Sequence, residues 1–478
     1  MIAPCPTRAE AADAVLGRLA QIVGVKHVVT DTLELAPHLV EPRELFKGRA
    51  RAMVRPATTA EVSRVMVLCN ETGLPVVPQG GNTGLVGGQT PHETGDEIIL
   101  SLTRLDRLRE ADPATNTLTV EAGMTLTRVH DEAARIDRMF PLSLASEGSC
   151  TIGGNLATNA GGTAVLAYGN ARDLVLGLEA VLADGRVLSN LSKLKKDNTG
   201  YDLKHLFMGS EGTLGVITAA VLKLFPRPRA IETAFVGLAD PAAALKLLEL
   251  ALDSAGASVT AFELMPRIGL DMVLRHAPGT RDPLAGKHAW YVLLELSAQA
   301  EHGLLEALGS LLENAMSRDI IDDAAVATSL DQREAFWKLR DMQSEVQGRE
   351  GGSIKQDVSV PLALVPRFIA DAEGAVGARI PGARMVAFGH LGDGNIHCNV
   401  SQPVGADKAT FLTRWAEVNA IVHAVVTRLG GSISAEHGIG RLKRNLLPAV
   451  KDPVALDVMR ALKATLDPKG ILNPGKVL

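Results

Sequence analysis

Cysteine is scarce. Cys5, Cys69, Cys150 and Cys398 are the only four in 478 residues, and no two form a CxxC. Scattered thiols exclude a disulfide framework and fit a reducing, cytoplasm-like compartment. There is no basic run and no interleaving of basic with aromatic residues, and the net charge is −5. A nucleic-acid partner is therefore not expected. No apolar run approaches the ~18 residues that a membrane-spanning helix requires. The opening Met1-Ile-Ala-Pro-Cys-Pro lacks the charged and apolar regions of a secretory signal. A soluble, cytoplasmic protein is expected.

What is present is a chain long enough for about three domains, with an ordinary apolar fraction of 46%. Ala11, Val15, Leu16, Leu19 and Ile22 predict a helix over 8–24 by their spacing. Residues 25–55 read as irregular. Thr58 and Glu61 form a capping box opening a helix that runs to Gly73 and feeds a strand, Leu74-Pro-Val-Val-Pro78. Strands are predicted at Glu97-Ile-Ile-Leu-Ser and Thr117-Leu-Thr-Val-Glu, a helix over 125–136, and a strand pair at Val175-Leu-Gly-Leu-Glu-Ala-Val-Leu and Arg186-Val-Leu, turning at Asp184-Gly185.

Two glycine-rich loops interrupt this half. The first is Gln79-Gly-Gly-Asn82-Thr83-Gly84-Leu85-Val-Gly87-Gly88-Gln89. The second is Ser146-Glu-Gly148-Ser149-Cys-Thr151-Ile-Gly153-Gly154-Asn155-Leu-Ala-Thr158-Asn159-Ala-Gly161-Gly162-Thr163. Glycines let backbone N–H groups approach an anion closely. The first loop is neither a Walker loop, which needs Lys-Ser/Thr, nor a GxGxxG opening a helix. Two loops carrying Ser, Thr and Asn suit phosphate and ribose.

From Ile231 the pattern changes to strands alternating with helices. Strands are predicted at 233–238, 258–264, 290–296, near Ile320 and over 353–359. Helices are predicted over 241–255, 301–316, 330–347, 361–375, 407–429 and 453–466. An antiparallel sheet with helices on one face is the economical arrangement. Within it, Arg384-Met-Val-Ala-Phe-Gly-His390 and Asn395-Ile-His397-Cys-Asn399-Val form a hairpin turning at Gly392-Asp393-Gly394. Alternation puts Asn395, His397 and Asn399 on one face and Ile396, Cys398 and Val400 on the other. Ser434-Ala-Glu436-His437-Gly adds a carboxylate and a base. Two His and one carboxylate match a metal site with an open position. Arg340 and Ser344, four apart, share one face of a predicted helix, and Lys355 lies in a predicted strand.

The motifs Pro78-Gln-Gly-Gly-Asn-Thr-Gly-Leu, Thr151-Ile-Gly-Gly-Asn and Gly209-Ser-Glu-Gly-Thr-Leu-Gly resemble the FAD-binding domain of the vanillyl-alcohol oxidase and p-cresol methylhydroxylase superfamily. The resemblance implies an α+β fold: an N-terminal helical segment (1–50), a two-subdomain FAD-binding domain (51–229), an antiparallel-sheet cap (230–430) and a C-terminal helical segment (431–478) returning to the flavin. It implies FAD contacts from Pro78, Gly80, Gly81, Asn82, Thr83, Gly84 and Leu85 in the first loop. In the second they come from Gly148, Ser149, Thr151, Ile152, Gly153, Gly154, Asn159, Gly161 and Gly162, and beyond it from Glu211, Gly215, Ile217 and Asn473. No His or Cys occurs in Pro78–Gln89, which implies that FAD is noncovalent.

Gly389-His390-Leu-Gly-Asp-Gly-Asn-Ile-His397-Cys-Asn399 and Ser434-Ala-Glu436-His437-Gly resemble the cap motifs of the FAD-dependent D-2-hydroxyacid dehydrogenases, nearest the D-2-hydroxyglutarate enzymes. By that likeness His390, His397 and Glu436 bind a divalent metal, zinc; His437 is the catalytic base; and Asn399, Arg340, Ser344 and Lys355 meet the substrate. Ser344 stands where those enzymes place Thr. Implied partners are a 2-hydroxy acid and an electron acceptor such as an electron-transfer flavoprotein or quinone, and a homodimer is compatible. D-lactate dehydrogenase, a glycolate oxidase flavin subunit and a noncatalytic flavin subunit are the alternatives.

Overall fold

In the computed structural model, residues 8–478 are described, with side chains from residue 14 onward. Cys5 and the Ala11 side chain lie outside them. Cys69, Cys150 and Cys398 are buried thiols without disulfides. No helix among the described residues is long and apolar enough to cross a membrane. The chain divides into two compact units. One comprises Met1–Ala160, Asn170–Pro226 and His437–Leu478, and the other Gly161–Gly169 and Arg227–Glu436.

In the first unit the helix Thr59–Thr72 starts where the capping box predicts. Thr58 accepts from the Glu61 amide at 3.1 Å, while the Glu61 carboxylate reaches back to the Ala57 amide at 2.7 Å. Gly73, at φ +65°, ends it. The helix feeds Val76–Gln79, which lies parallel to Ile98–Ser101 and, through it, to Ala52–Val54 in a four-stranded sheet. A second, antiparallel sheet of five strands runs Leu108–Asp112, Thr117–Glu121, Val216–Lys223, Val175–Val181 and Val187–Asn190. Its central strand, Val216–Lys223, is buried on both faces. It therefore lacks the polar alternation by which a strand is recognised, and only the glycine motif before it was read from sequence. The C-terminal segment returns to the first glycine loop: Leu472 bridges Val76, and the Asn473 amide donates to Val76 O at 2.8 Å.

The second unit is built on an antiparallel sheet ordered Asp323–Val326, Ala230–Leu238, Trp290–Ala298, Val259–Pro266, Arg384–His390, Asn395–Ser401 and Ser353–Ile354, with Val358–Ser359 also pairing Asn395–Ser401. Helices Pro241–Ala255, Leu304–Ser317, Val365–Arg379 and Trp415–Arg428 pack on one face, over Val292, Leu294, Ile396, Cys398 and Val400. The expectation of helices on a single face is corrected. Arg267–His276 and Leu330–Asp341 cover the opposite face, over Phe235, Tyr291, Leu293, Val386 and Phe388. Central strands buried on both sides expose no polar face to reveal this second layer. Two predicted helices are also interrupted. The 330–347 helix breaks at Met342 before Gln343–Val346, and the 407–429 helix breaks between Lys408–Leu412 and Trp415–Arg428.

Candidate functional site

The hairpin forms as its sequence predicts. Arg384–His390 and Asn395–Ser401 pair antiparallel with Phe388 opposite His397. The turn is a tight Leu391–Asp393 helical turn closed by Gly394 at φ +78°, where a Cβ would overlap the Val360 carbonyl oxygen. Ile396, Cys398 and Val400 are sealed in the core, which commits the polar alternates to the other face.

There His390, His397 and Glu436 each offer a ligand atom, all within 4.8 Å of one another. His390 Nε2 lies 3.1 Å from Glu436 Oε1, and the two imidazoles meet edge-on with centroids 5.6 Å apart. Burial alone would lower His390, but the carboxylates of Glu263 and Glu436 overcome it and hold it up at about 10. Burial pushes His397 down to about 4. One imidazole is thus held cationic between acids and the other neutral, as suits a pocket that draws positive charge and offers a neutral nitrogen. The donor set, two imidazoles and a carboxylate converging without a fourth protein ligand among the described residues, fits a divalent metal.

Two buried acids escaped the sequence reading. Glu263 is fully buried and faces His390 across the ladder. Its Oε1 accepts from His390 Nδ1 at 2.8 Å and its Oε2 from Arg340 Nε at 2.6 Å. Burial would raise this carboxyl, yet His390 and Arg340 hold it at about 2. Asp357 accepts from Asn395 Nδ2 at 3.0 Å and from the Glu436 amide at 2.9 Å, and lies 3.8 Å from His397 Nδ1. The available signal for Glu263 was a lone acid within an apolar strand pattern, Val259-Thr-Ala-Phe-Glu-Leu-Met; Asp357, in the polar run Lys355-Gln-Asp, carried no such signal. A buried charge persists there only if paired.

Arg340 comes to this centre. Its terminal nitrogen lies 3.4 and 3.5 Å from the two His390 ring nitrogens, and its Cζ is 5.4 Å from the Phe388 ring centre. Lys355 and Ser344 come together, Lys355 Nζ donating to Ser344 O and Oγ at 2.9 Å each. Arg340 and Ser344 flank the break at Met342, which stays right-handed, so their one-turn spacing survives. Asn399 is buried, its Oδ1 accepting from the Gln356 amide at 3.2 Å. His437 directly follows Glu436 and begins the C-terminal part of the first unit.

In that first unit the two glycine loops interlock. A Cβ on Gly80 would overlap Thr151 Oγ1, and one on Gly81 the Ser149 carbonyl oxygen. Gly153 packs against Ala122, Gly215 against the Phe207 ring, and Gly84 against Gln89, while Gly148 faces open space. Pro78, in the strand Val76–Gln79, lies beside Gly212. Thr83 and Leu85 are half-buried, and Ile152 and Ile217 are core residues. Gly154 leaves room beside Thr151 Oγ1, and Asn159 caps its helix at φ +52°. Thr151 Oγ1, Asn82 Oδ1, Asn155 Nδ2 and Asn473 Oδ1 are buried without a hydrogen-bond partner. Such orphaned groups among glycines fit a dinucleotide's polar atoms. The Glu211 carboxylate is committed to the chain: it accepts from the Ile439 and Gly440 amides at 2.7 and 2.8 Å, and burial pushes it up to about 7. Asn473 Nδ2 donates to Gly88 O and Glu211 O. Gly161 and Gly162 belong instead to the second unit, where a Cβ on Gly161 would lie 3.1 Å from the Glu436 side chain.

Residues 50–190 match the FAD binding domain family and residues 227–477 the family of FAD linked oxidases, C-terminal domain. The chain is 38% identical to D-2-hydroxyglutarate dehydrogenase, mitochondrial, of Arabidopsis thaliana over 458 residues, 96% of this chain and 80% of the relative. It is 40% identical to the enzyme so named from Bos taurus, over 94% and 81% of the two chains. It is 37% identical to D-2-hydroxyglutarate dehydrogenase of Xanthomonas citri pv. viticola over 96% of each chain. Among solved structures, p-cresol methylhydroxylase with substrate bound has the same fold, with a TM-score of 0.77 at 18% identity, covering 98% of this chain and 97% of that one.

Proposed function

Because the chain belongs to the FAD-dependent D-2-hydroxyacid dehydrogenases of the p-cresol methylhydroxylase superfamily, we propose that it oxidises D-2-hydroxyglutarate to 2-oxoglutarate with the help of a divalent metal. The observation that carries this reading is the convergence of His390, His397 and Glu436 beside the Arg340 guanidinium. A 2-hydroxy acid presents a hydroxyl and a carboxylate on adjacent carbons, and a cation site beside a guanidinium complements both.

Oxidation removes a hydride from C2 and a proton from the hydroxyl, forming the C2 carbonyl. FAD held by the two glycine loops would supply the hydride acceptor. An alcohol proton is too weakly acidic for imidazole alone; His390, His397 and Glu436 would hold a zinc-type ion that would supply the acidification. His437 takes the proton as general base. Arg340 and Asn399 orient the acid, and the Lys355–Ser344 pair receives a second carboxylate. A lactate-sized substrate has no second carboxylate to meet that donor pair. The preference for a diacid rests on the Lys355–Ser344 donors standing alongside Arg340. FAD is held noncovalently, since the first loop offers no linking side chain.

Electrons pass on to an electron-transfer flavoprotein or quinone, and the homodimer remains the proposed oligomer. The cytoplasmic location proposed from the sequence rests on the three buried thiols, which suit any reducing compartment. The plant and bovine names point to mitochondria, and fractionation of the source cells decides between them. The substrate reading is tested by turnover with a redox dye across D- and L-2-hydroxy acids. D-2-hydroxyglutarate is expected to give the highest kcat/KM, and a higher value for D-lactate overturns the diacid assignment.

A further inference from the structure

We infer that Glu263 is the positioning residue of this centre, a single buried carboxylate that orients the ligating imidazole of His390 with one oxygen and the substrate-binding guanidinium of Arg340 with the other. The inference rests on the metal and substrate roles proposed above for His390 and Arg340.

Glu263 sits mid-strand in Val259–Pro266, with Phe262 and Leu264 on either side entering the core. An acid at a fully buried position is costly unless it is paired on both oxygens. Here it is. Its ladder partner is His390, so the two side chains stand side by side on the same face. His390 Nδ1–H donates to Glu263 Oε1 at 2.8 Å, which leaves Nε2, 3.1 Å from Glu436 Oε1, as the nitrogen open to exchange its proton for a cation. With that proton gone the ring is in the tautomer a metal ligand requires, and a carboxylate on the far nitrogen also makes the imidazole a better donor. The second oxygen takes Arg340 Nε at 2.6 Å. With Phe388 beneath its Cζ and His390 beside its terminal nitrogen, the guanidinium is clamped at its Nε edge, and its terminal nitrogens carry the recognition of an anion. One carboxylate thus ties the geometry of the metal site to that of the carboxylate site. No neutral or shorter side chain does both. The amide of Gln accepts on only one side, and Asp is one methylene too short to span the two partners.

The test compares wild type with Glu263→Gln and Glu263→Asp, each isolated as yellow protein. Zinc affinity is read by competition with a chromogenic chelator, and KM and kcat for D-2-hydroxyglutarate are read at saturating zinc. Both variants are expected to bind zinc about 10–100-fold more weakly. At saturating zinc both should raise KM at least tenfold while kcat falls less. Glu263→Asp keeps the buried charge and so remains informative if Glu263→Gln fails to hold flavin. Zinc affinity and KM both within twofold of wild type overturn the inference, as does lost thermal stability with zinc affinity intact. Wild-type protein that takes up no zinc overturns the metal reading and the His390 half with it, and an unchanged KM in the variants then overturns the Arg340 half.

Discussion

Gly81 marks how closely the two glycine loops approach, since any side chain there meets the Ser149 carbonyl. Gly81→Ala is expected to cost roughly 1–3 kcal/mol in local packing. Flavin affinity should fall by tenfold or more, read as lower FAD occupancy of purified protein; full occupancy contradicts the interlock. His437→Ala should lower kcat by about 10²–10⁴-fold, the general acid–base range, with little change in substrate binding. Near-normal kcat would leave the proton without an acceptor. Lys355→Ala should raise KM for D-2-hydroxyglutarate and spare D-lactate, because Lys355 and Ser344 form a donor pair of their own. At this scale the proposed ligands stand out in the sequence and the residues that support them do not. His390, His397 and Glu436 sit in glycine-rich, polar stretches that stand out against an apolar chain. Glu263 is a single acid in an apolar strand pattern and Asp357 lies in a polar run, and only the tertiary ladder reveals what each of them holds.

The hairpin Arg384–His390 and Asn395–Ser401 is the element that sets the centre. Its turn depends on Gly394, whose φ of +78° and contact with the Val360 carbonyl leave no room for a Cβ. Gly394→Ala is expected to destabilise the second unit by about 1–3 kcal/mol and to weaken metal binding, measured by urea unfolding and chelator competition. Wild-type stability would show that the turn relaxes freely. The hairpin was readable because one face is apolar and the other polar, so period and register agree. Strands buried on both faces gave less away. Val216–Lys223 went unread, and the Arg267–His276 and Leu330–Asp341 layer over the far side of the large sheet was not anticipated. The interruption at residues 413–414 falls where Thr410, Phe411, Thr413 and Trp415 weaken helix propensity, whereas at Met342 local propensity gives no reason to stop.

Across the whole molecule, composition foretold a chain with ample core, while the sequence reading divides it into four consecutive segments and the chain forms two units built from separate stretches. The assignment of residues 161–169 to the second unit depends on long-range contacts that no local pattern encodes. One charge cluster makes the second unit acid-sensitive. Arg384 foremost, then His276 and Arg275, hold the Glu350 carboxyl at about 2 against a reference of 4.5. A depressed carboxyl stabilises the fold above about pH 4.5, and that contribution is lost as pH falls from 4.5 toward 2. Glu350→Gln should flatten the acid limb of the unfolding-midpoint profile by about 1–2 kcal/mol after solvent screening; an unchanged limb contradicts the pairing. The most direct test of the central claim is anaerobic flavin bleaching by D-2-hydroxyglutarate, with enzyme stripped of metal but retaining FAD. The flavin should stay oxidised until zinc, cobalt or manganese is added and then bleach. Bleaching at the full rate in exhaustively metal-free enzyme would contradict the role given to His390, His397 and Glu436.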